Sequence, residues 1–284
     1  MLRETIEKFR DEKKCIGHFN FSDSNQLKAI AEAAKETGLP VIAGLSEGER
    51  DFFPLSHART LIDIYRSQGV EIFLNADHTY TIEKVERAIA AGVDSVVVDG
   101  AKLSFTENSQ LLKASVARAR ASGRDVLVEG ELGYIGASSQ VMDNLPEGAA
   151  ATEEMMTKSE ELSQLVAESG IDLAAPAVGN IHGMVKSGQP KLSIERIRTL
   201  ATTAGVPLVL HGGSGSSDEE FSASIEAGMV IIHINTELRV LYRDELQKSL
   251  MENKDEAAPY KILGPVVLSM KNYVASRMRL FARA

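Results

Sequence analysis

The sequence predicts an α/β fold, a closed (β/α)8 barrel with an additional C-terminal helical segment, and three observations carry that reading. Eight short apolar runs alternate with eight longer segments of helical periodicity, always in the order strand then helix. No stretch reads as an antiparallel hairpin. At 284 residues the chain has room for two domains, but one barrel commonly takes this length, so 1–284 is read as a single domain.

Strands are predicted at 16–21, 41–45, 71–75, 95–99, 126–129, 173–178, 207–210 and 230–234. Helices at 26–36, 56–67, 82–91, 108–121, 158–168, 193–202, 218–227 and 237–252 place apolar residues three and four apart. Many stop at a glycine, among them Gly38, Gly92, Gly170 and Gly228, the residue that best takes a left-handed cap. An open doubly wound sheet shares this alternation. However, Phe19-Asn20-Phe21-Ser22 follows the first strand, where a dinucleotide-binding fold carries repeated glycines. Residues 254–283 add a last helical stretch, expected to be interrupted at Gly264-Pro265 and to dock on the barrel or on a neighbouring subunit. The segment 136–157 lacks an apolar strand and has the length of a lid.

With 44% hydrophobic and 25% charged residues and eight prolines, the composition excludes a disordered, collagen-like or disulfide-framed chain. Lys and Arg number 31 against 40 Asp and Glu, a net charge of −9 that argues against nucleic acid while leaving room for a local phosphate site. Cys15 is the only cysteine, which points to a reducing compartment and a small buried residue. Residues 1–14 alternate charges without an apolar core, and no apolar run approaches the ~18 residues of a membrane span. The expectation is a cytoplasmic protein with no membrane partner.

Barrel chemistry gathers at the carboxyl ends of strands, and four such ends carry it here. They are Asn75-Ala76-Asp77-His78, Glu129-Gly130-Glu131-Leu132-Gly133, Gly179-Asn180-Ile181-His182-Gly183 and Leu210-His211-Gly212-Gly213-Ser214. Three of the six histidines, His78, His182 and His211, thus fall on one face of the predicted barrel. Three neutral imidazoles with an open fourth position make a catalytic site for a Zn²⁺-type ion. Their separations of 104 and 29 residues form no local motif, so the signal depends on the barrel. Asp77 reads as a carboxylate that orients a ligand imidazole or as an acid/base, and Glu131 as a capping, supporting or alternative metal carboxylate.

The run from His211 through Gly213-Ser214-Gly215 to Glu220 is a small-residue loop entering a helix, where bare N–H groups and the Ser214 hydroxyl face an anion. Asn235-Thr236 ends the last strand and joins that loop. His18 and His233 share strand parity with Asn20 and Asn235 and are expected inside the barrel or at its mouth, whereas His57 is expected on the surface. Lys102, just past the fourth strand, is a solvated or phosphate-facing lysine or a Schiff-base lysine.

Taken with Pro40-Val41-Ile42 and Asp99-Gly100, these motifs resemble, in order and over nearly the whole chain, the class II metal-dependent fructose-bisphosphate and tagatose-bisphosphate aldolases. The resemblance implies a TIM barrel, a zinc-type divalent ion, and reversible cleavage of a ketose bisphosphate into dihydroxyacetone phosphate and an aldehyde. Residue by residue, it implies His78, His182 and His211 as metal ligands and Asp77 as the acid/base at the C4 oxygen. Asn20, Gly183, Gly212, Gly213, Ser214, His233, Asn235 and Thr236 become substrate-binding residues, with Asp99 and Glu131 as supporting or alternative metal groups. A monovalent cation near the phosphate and a dimer or tetramer belong to the same implication, Arg277 and Arg279 being candidates for an interface or for the second phosphate.

The chain departs from the family in three places. His233 stands where many members have an asparagine, and Ser22-Asp23-Ser24-Asn25 where an asparagine and a glutamate are usual. The acidic pair of the lid is absent at Ala137-Ser138-Ser139, with Glu147, Glu153 and Glu154 as replacements among which spacing does not choose. Fructose 1,6-bisphosphate is the first substrate expected and tagatose 1,6-bisphosphate the second. A related aldolase for a deoxy-keto sugar phosphate, a Schiff-base aldolase using Lys102, and a non-catalytic sugar-phosphate sensor remain as rivals.

Overall fold

The computed structural model describes residues 1–136, 140–145 and 152–284. The barrel strands are β1 (Ile16–Asn20), β2 (Val41–Leu45), β3 (Ile72–Thr79), β4 (Ser95–Val98), β5 (Leu127–Leu132), β7 (Leu173–Pro176), β9 (Leu208–Leu210) and β10 (Met229–Ile234). All pair in parallel, and β10 closes on β1. Two short strands, β6 (Val141–Met142) and β8 (Met184–Val185), pair outside the barrel.

The crossover helices follow the expected order: α2 (Ser24–Thr37), α4 (Leu55–Ser67), α5 (Ile82–Ala91), α6 (Phe105–Ala121), α7 (Ser159–Ser169), α8 (Ile194–Thr203), α9 (Asp218–Ala227) and α10 (Thr236–Glu252). Their ends are made locally. Gly38, Gly92 and Gly170 close α2, α5 and α7 in the left-handed conformation, and capping boxes open α6 at Ser104 and α9 at Ser217.

Three features differ from the sequence expectation. A helix α1 (Leu2–Asp11) precedes the barrel, and a six-residue α3 (Glu47–Phe52), nucleated by the Ser46/Glu49 capping box, follows β2. Gly264-Pro265 does not interrupt α11 (Pro259–Ala282). Proline removes one N–H bond near the start of that helix, while burial of Val266, Met270, Val274, Met278 and Phe281 holds the rest in place.

The barrel interior is layered by the period-two alternation of its strands. Ile16, Ile42, Phe73, Leu127, Leu173, Val209 and Ile231 form an apolar layer at the amino end, and Leu2, Ile6 and Phe9 of α1 pack onto it. Two residues further along the same strands come His18, Asn75, Glu129, His211 and His233, and then Asn20, Asp77 and Glu131, all buried. Cys15 is buried and free, and His57 is exposed. Among the described residues no helix is long and apolar enough to cross a membrane.

Candidate active site

The three predicted histidines converge at the carboxyl end of the barrel, with ring centroids 4.7, 5.2 and 5.6 Å apart. Each has one nitrogen occupied on the side away from the others. His78 Nδ1 is 2.9 Å from Asp99 Oδ2, His182 Nδ1 donates to the Gly136 carbonyl at 2.9 Å, and His211 Nε2 is 2.6 Å from Glu129 Oε1. That leaves Nε2 of His78, Nε2 of His182 and Nδ1 of His211 for a common ligand, the arrangement in which an outer partner fixes a metal-binding imidazole. One ligand atom from each, with one from Glu131, lies within 4.8 Å of all the others.

Unmet polar atoms support the fit of a cation. Asp77 Oδ1 is buried without a hydrogen-bond partner, and the buried His211 Nδ1 and Glu131 Oε2, 3.3 Å apart, make no well-formed hydrogen bond. Buried polar atoms are rarely left so, and a divalent ion held by His78, His182, His211 and Glu131 satisfies His211 Nδ1 and Glu131 Oε2 together, with Asp77 Oδ1 outside that donor set. Three imidazoles and a carboxylate form a donor set suited to zinc and to several other first-row ions.

Electrostatics tie the groups together. Burial pushes His182 down to about 3, helped by the neighbouring His78 and His211. Burial also opposes charge on His78, yet Asp77, Asp99 and Glu131 hold it up at about 9. For Asp77 burial works against ionisation, but His78, His18, His211 and the Asn20 amide together keep its carboxyl well below the usual range. Asp77 is therefore a carboxylate in the absence of substrate.

The backbone around these residues is clamped. His78 has φ +41°, a conformation unusual for a side-chain-bearing residue, at the point where β3 shifts register against β4. The Arg50 guanidinium donates to the carbonyls of Leu45, Asp77 and His78, fixing that turn from below. Asn20 Nδ2 donates to Asp77 Oδ2 at 2.9 Å and to Glu49 Oε2 at 3.0 Å. Glu49 in turn accepts from Ser46 and from Arg239 at 2.6 Å. One oxygen of Asp77 is thus anchored and the other is directed at the histidines.

A small cavity of about 20 Å³ adjoins the trio. Asn20, Asp77, His78 and His182 form one side of it, and Gly183, Gly212, Ser214, His233, Asn235 and Thr236 the other. Only glycine fits at 212, where φ is +60° and a Cβ would lie 2.2 Å from the Ile181 carbonyl oxygen. The opening of α10 at Thr236 adds a helix N-terminus beside this loop. The Gly213 N–H donates to the His233 carbonyl at 3.1 Å, and Gly213 lies against Ile232 and Ile234, so contact between the β9 and β10 segments continues through it.

His233 stands in a column of rings, stacked on His18 at 3.5 Å and on His211 at 4.1 Å, with Nδ1 3.7 Å from Asp77 Oδ1. His18 Nε2 is 3.2 Å from Asn75 Oδ1, and Gly44 leaves the space its ring occupies. A second cavity of about 240 Å³ opens on the other face of His78 and His182, walled by Tyr80, Lys102, Tyr134 and Arg239. Lys102 is exposed there, whereas a Schiff-base lysine is desolvated or beside another cation to lose its proton.

Other candidates lie elsewhere. Glu153 is held by Arg196 and Ser193, and Glu154 lines a separate cavity, while Ala137-Ser138-Ser139 and Glu147 fall outside the described residues. Arg277 pairs with Asp218 and Arg279 with Glu36, on the outside of the barrel. Three supporting groups escaped the sequence reading: Glu129, Glu49 and Arg50. Strand parity with Glu131 is the signal for Glu129, and the Ser46-x-x-Glu49 capping box is the signal for Glu49.

The family model described as fructose-bisphosphate aldolase class II matches residues 1–284. A fructose-bisphosphate aldolase of Geobacillus stearothermophilus is 32% identical over 99% of this chain and 96% of its own length. One from Staphylococcus aureus is 30% identical with the same coverage. Among solved structures, the YdjI aldolase of Escherichia coli K12 has a TM-score of 0.80 at 24% identity, covering 99% of this chain and 96% of that one. The fructose-bisphosphate aldolase of Campylobacter jejuni has 0.76 at 20%, covering 97% and 91%, so these two speak to the barrel alone. With the family model spanning the whole chain and relatives at 30% identity or more along its length, the protein belongs to the class II fructose-bisphosphate aldolase family.

Proposed function

We propose that the protein is a metal-dependent aldolase that reversibly cleaves a ketose 1,6-bisphosphate, fructose 1,6-bisphosphate first, into dihydroxyacetone phosphate and an aldehyde such as glyceraldehyde 3-phosphate. The observation that carries this reading is the trio His78, His182 and His211, each fixed by an outer partner, beside the free oxygen of Asp77 and a glycine-lined pocket. His78, His182 and His211 would hold a divalent ion, zinc in this reading, which would supply Lewis-acid positive charge beside Asp77.

The chain's own groups do the rest. Gly183, Gly212, Ser214 and Thr236 hold the triose phosphate group with hydroxyls and backbone N–H donors. Asp77 takes the C4 hydroxyl proton as the C3–C4 bond breaks and returns it in condensation. Asn20 keeps the Asp77 carboxylate turned toward the substrate, and Asp99 and Glu129 keep His78 and His211 in the ring orientation that ligation needs.

The test is release of dihydroxyacetone phosphate from fructose 1,6-bisphosphate by zinc-loaded protein, with tagatose 1,6-bisphosphate in parallel. Faster turnover of fructose 1,6-bisphosphate supports the substrate assignment, a reversed preference moves it to the tagatose sugar, and inertness toward both contradicts it.

A further inference from the structure

We propose that His18 is a positioning residue for the reaction, holding the His233 ring in the substrate pocket so that the two histidines act there as one unit. This rests on the aldolase reading above and adds to it a residue that lines neither cavity of the site. His233 borders the pocket beside Asp77, Gly212 and Ser214, with Nδ1 3.7 Å from Asp77 Oδ1, yet its ring makes no hydrogen bond among the described residues. The terminal torsion of a histidine is broad, so a ring without hydrogen bonds keeps one orientation only if its faces are held. His18 lies on one face at 3.5 Å with 4° between the ring planes, and His211 on the other at 4.1 Å with 25°. The closer and more nearly parallel contact is the one with His18.

His18 is itself locked. Its Nε2–H donates to Asn75 Oδ1 at 3.2 Å, and the Asn75 amide is turned that way because its Nδ2 donates to Ser95 Oγ at 2.7 Å. A polar line thus ties β1 to β3 and β4. The strand between β1 and β3 carries Gly44, where a Cβ would lie 2.2 Å from His18 Nε2, so the ring fits only because residue 44 has no side chain. An apolar residue would fill this space at lower cost, since burial of a polar ring is offset only where its nitrogens are paired, and His18 Nδ1 has no partner.

A shared ion is the rival explanation for the pair. One ligand atom each from His18, Asp77 and His233 lies within 4.8 Å of the others. However, an imidazole binds zinc through a lone pair in its ring plane at ~2.1 Å. Two nearly parallel rings 3.5 Å apart cannot both aim such a lone pair at one ion. Stacking, not coordination, joins His18 to His233.

A double-mutant cycle tests the unit, with His18→Ala, His233→Asn and the two together in zinc-loaded protein whose zinc content is measured for each variant. With whichever of fructose and tagatose 1,6-bisphosphate is the better substrate, His18→Ala should lower kcat/KM about tenfold. In the His233→Asn background, where no ring is left to hold, the same substitution should cost less than about twofold. A second readout needs neither metal nor substrate: with ¹³C-labelled histidine the chain gives six ring signals, and the one missing from His233→Asn belongs to His233. In metal-free protein that signal should broaden or split in His18→Ala, as the unheld ring takes more than one orientation. Equal losses in both backgrounds, no loss in the parent background, or a His233 signal that stays single and sharp in His18→Ala overturn this inference and leave the aldolase reading intact. A second equivalent of bound zinc that His18→Ala removes overturns it in favour of coordination. A parent protein that cleaves neither sugar overturns the aldolase reading together with it.

Discussion

The two ends of the barrel interior are built from the same strands and differ in almost everything else. At the amino end Ile16, Phe73, Leu127, Val209 and Ile231 are packed under Leu2, Ile6 and Phe9 with no polar atom among their side chains. Two residues along, His18, Asn75, Glu129, His211 and His233 are also buried but polar, and two of their atoms, His18 Nδ1 and His211 Nδ1, make no hydrogen bond. A single step of the strand period thus separates a layer that stabilises from a layer that carries chemistry. Buried polar groups cost stability unless paired, so the apolar layer below offsets the strain of the one above.

Substitutions at the two ends should therefore fail in different ways. The largest effect is expected at the chemical end. Asp77→Ala should lower kcat by about 10³-fold or more while zinc binding and the melting temperature stay close to those of the parent. A turnover near the parent's would remove Asp77 from the mechanism. At the opposite end, Phe9→Ala should cost about 3 kcal/mol of unfolding free energy in denaturant titrations, with KM unchanged. A loss below about 0.5 kcal/mol would mean that α1 does not close the barrel.

Glu129→Gln sharpens the contrast, because it keeps the volume and removes only the charge behind His211. Zinc affinity, measured by competition with a chromophoric chelator, should weaken by about 10- to 100-fold. An unchanged affinity would assign Glu129 to packing alone.

The same division explains what was legible in the sequence. The strand–helix alternation is a local pattern, so the barrel and most helix stops could be read directly. Helix α1 was overlooked although Leu2, Ile6 and Phe9 recur at helical spacing, because the charged residues between them hide a short apolar stripe. The extent of β5 was underestimated because Glu129 and Glu131 look like the end of a strand, while in the fold they point inward and ladder bonds to β7 continue through them. Helix α11 runs through Pro265 because tertiary packing outweighs one lost hydrogen bond.

For the site, residue type and strand position were enough to find His78, His182, His211 and Asp77. Their partners were not, since the pairing of His211 with Glu129 joins residues 82 apart in sequence on strands that are not neighbours. A run of small residues likewise does not reveal which N–H faces the pocket and which, like that of Gly213, is used by β10.

The most direct test of the account is fructose 1,6-bisphosphate cleavage before chelation, after chelation, and after zinc is restored, with zinc content measured at each stage. The three-histidine centre predicts activity that disappears with the metal and returns as about one zinc per chain is taken up. Cleavage that persists in metal-free protein would contradict it.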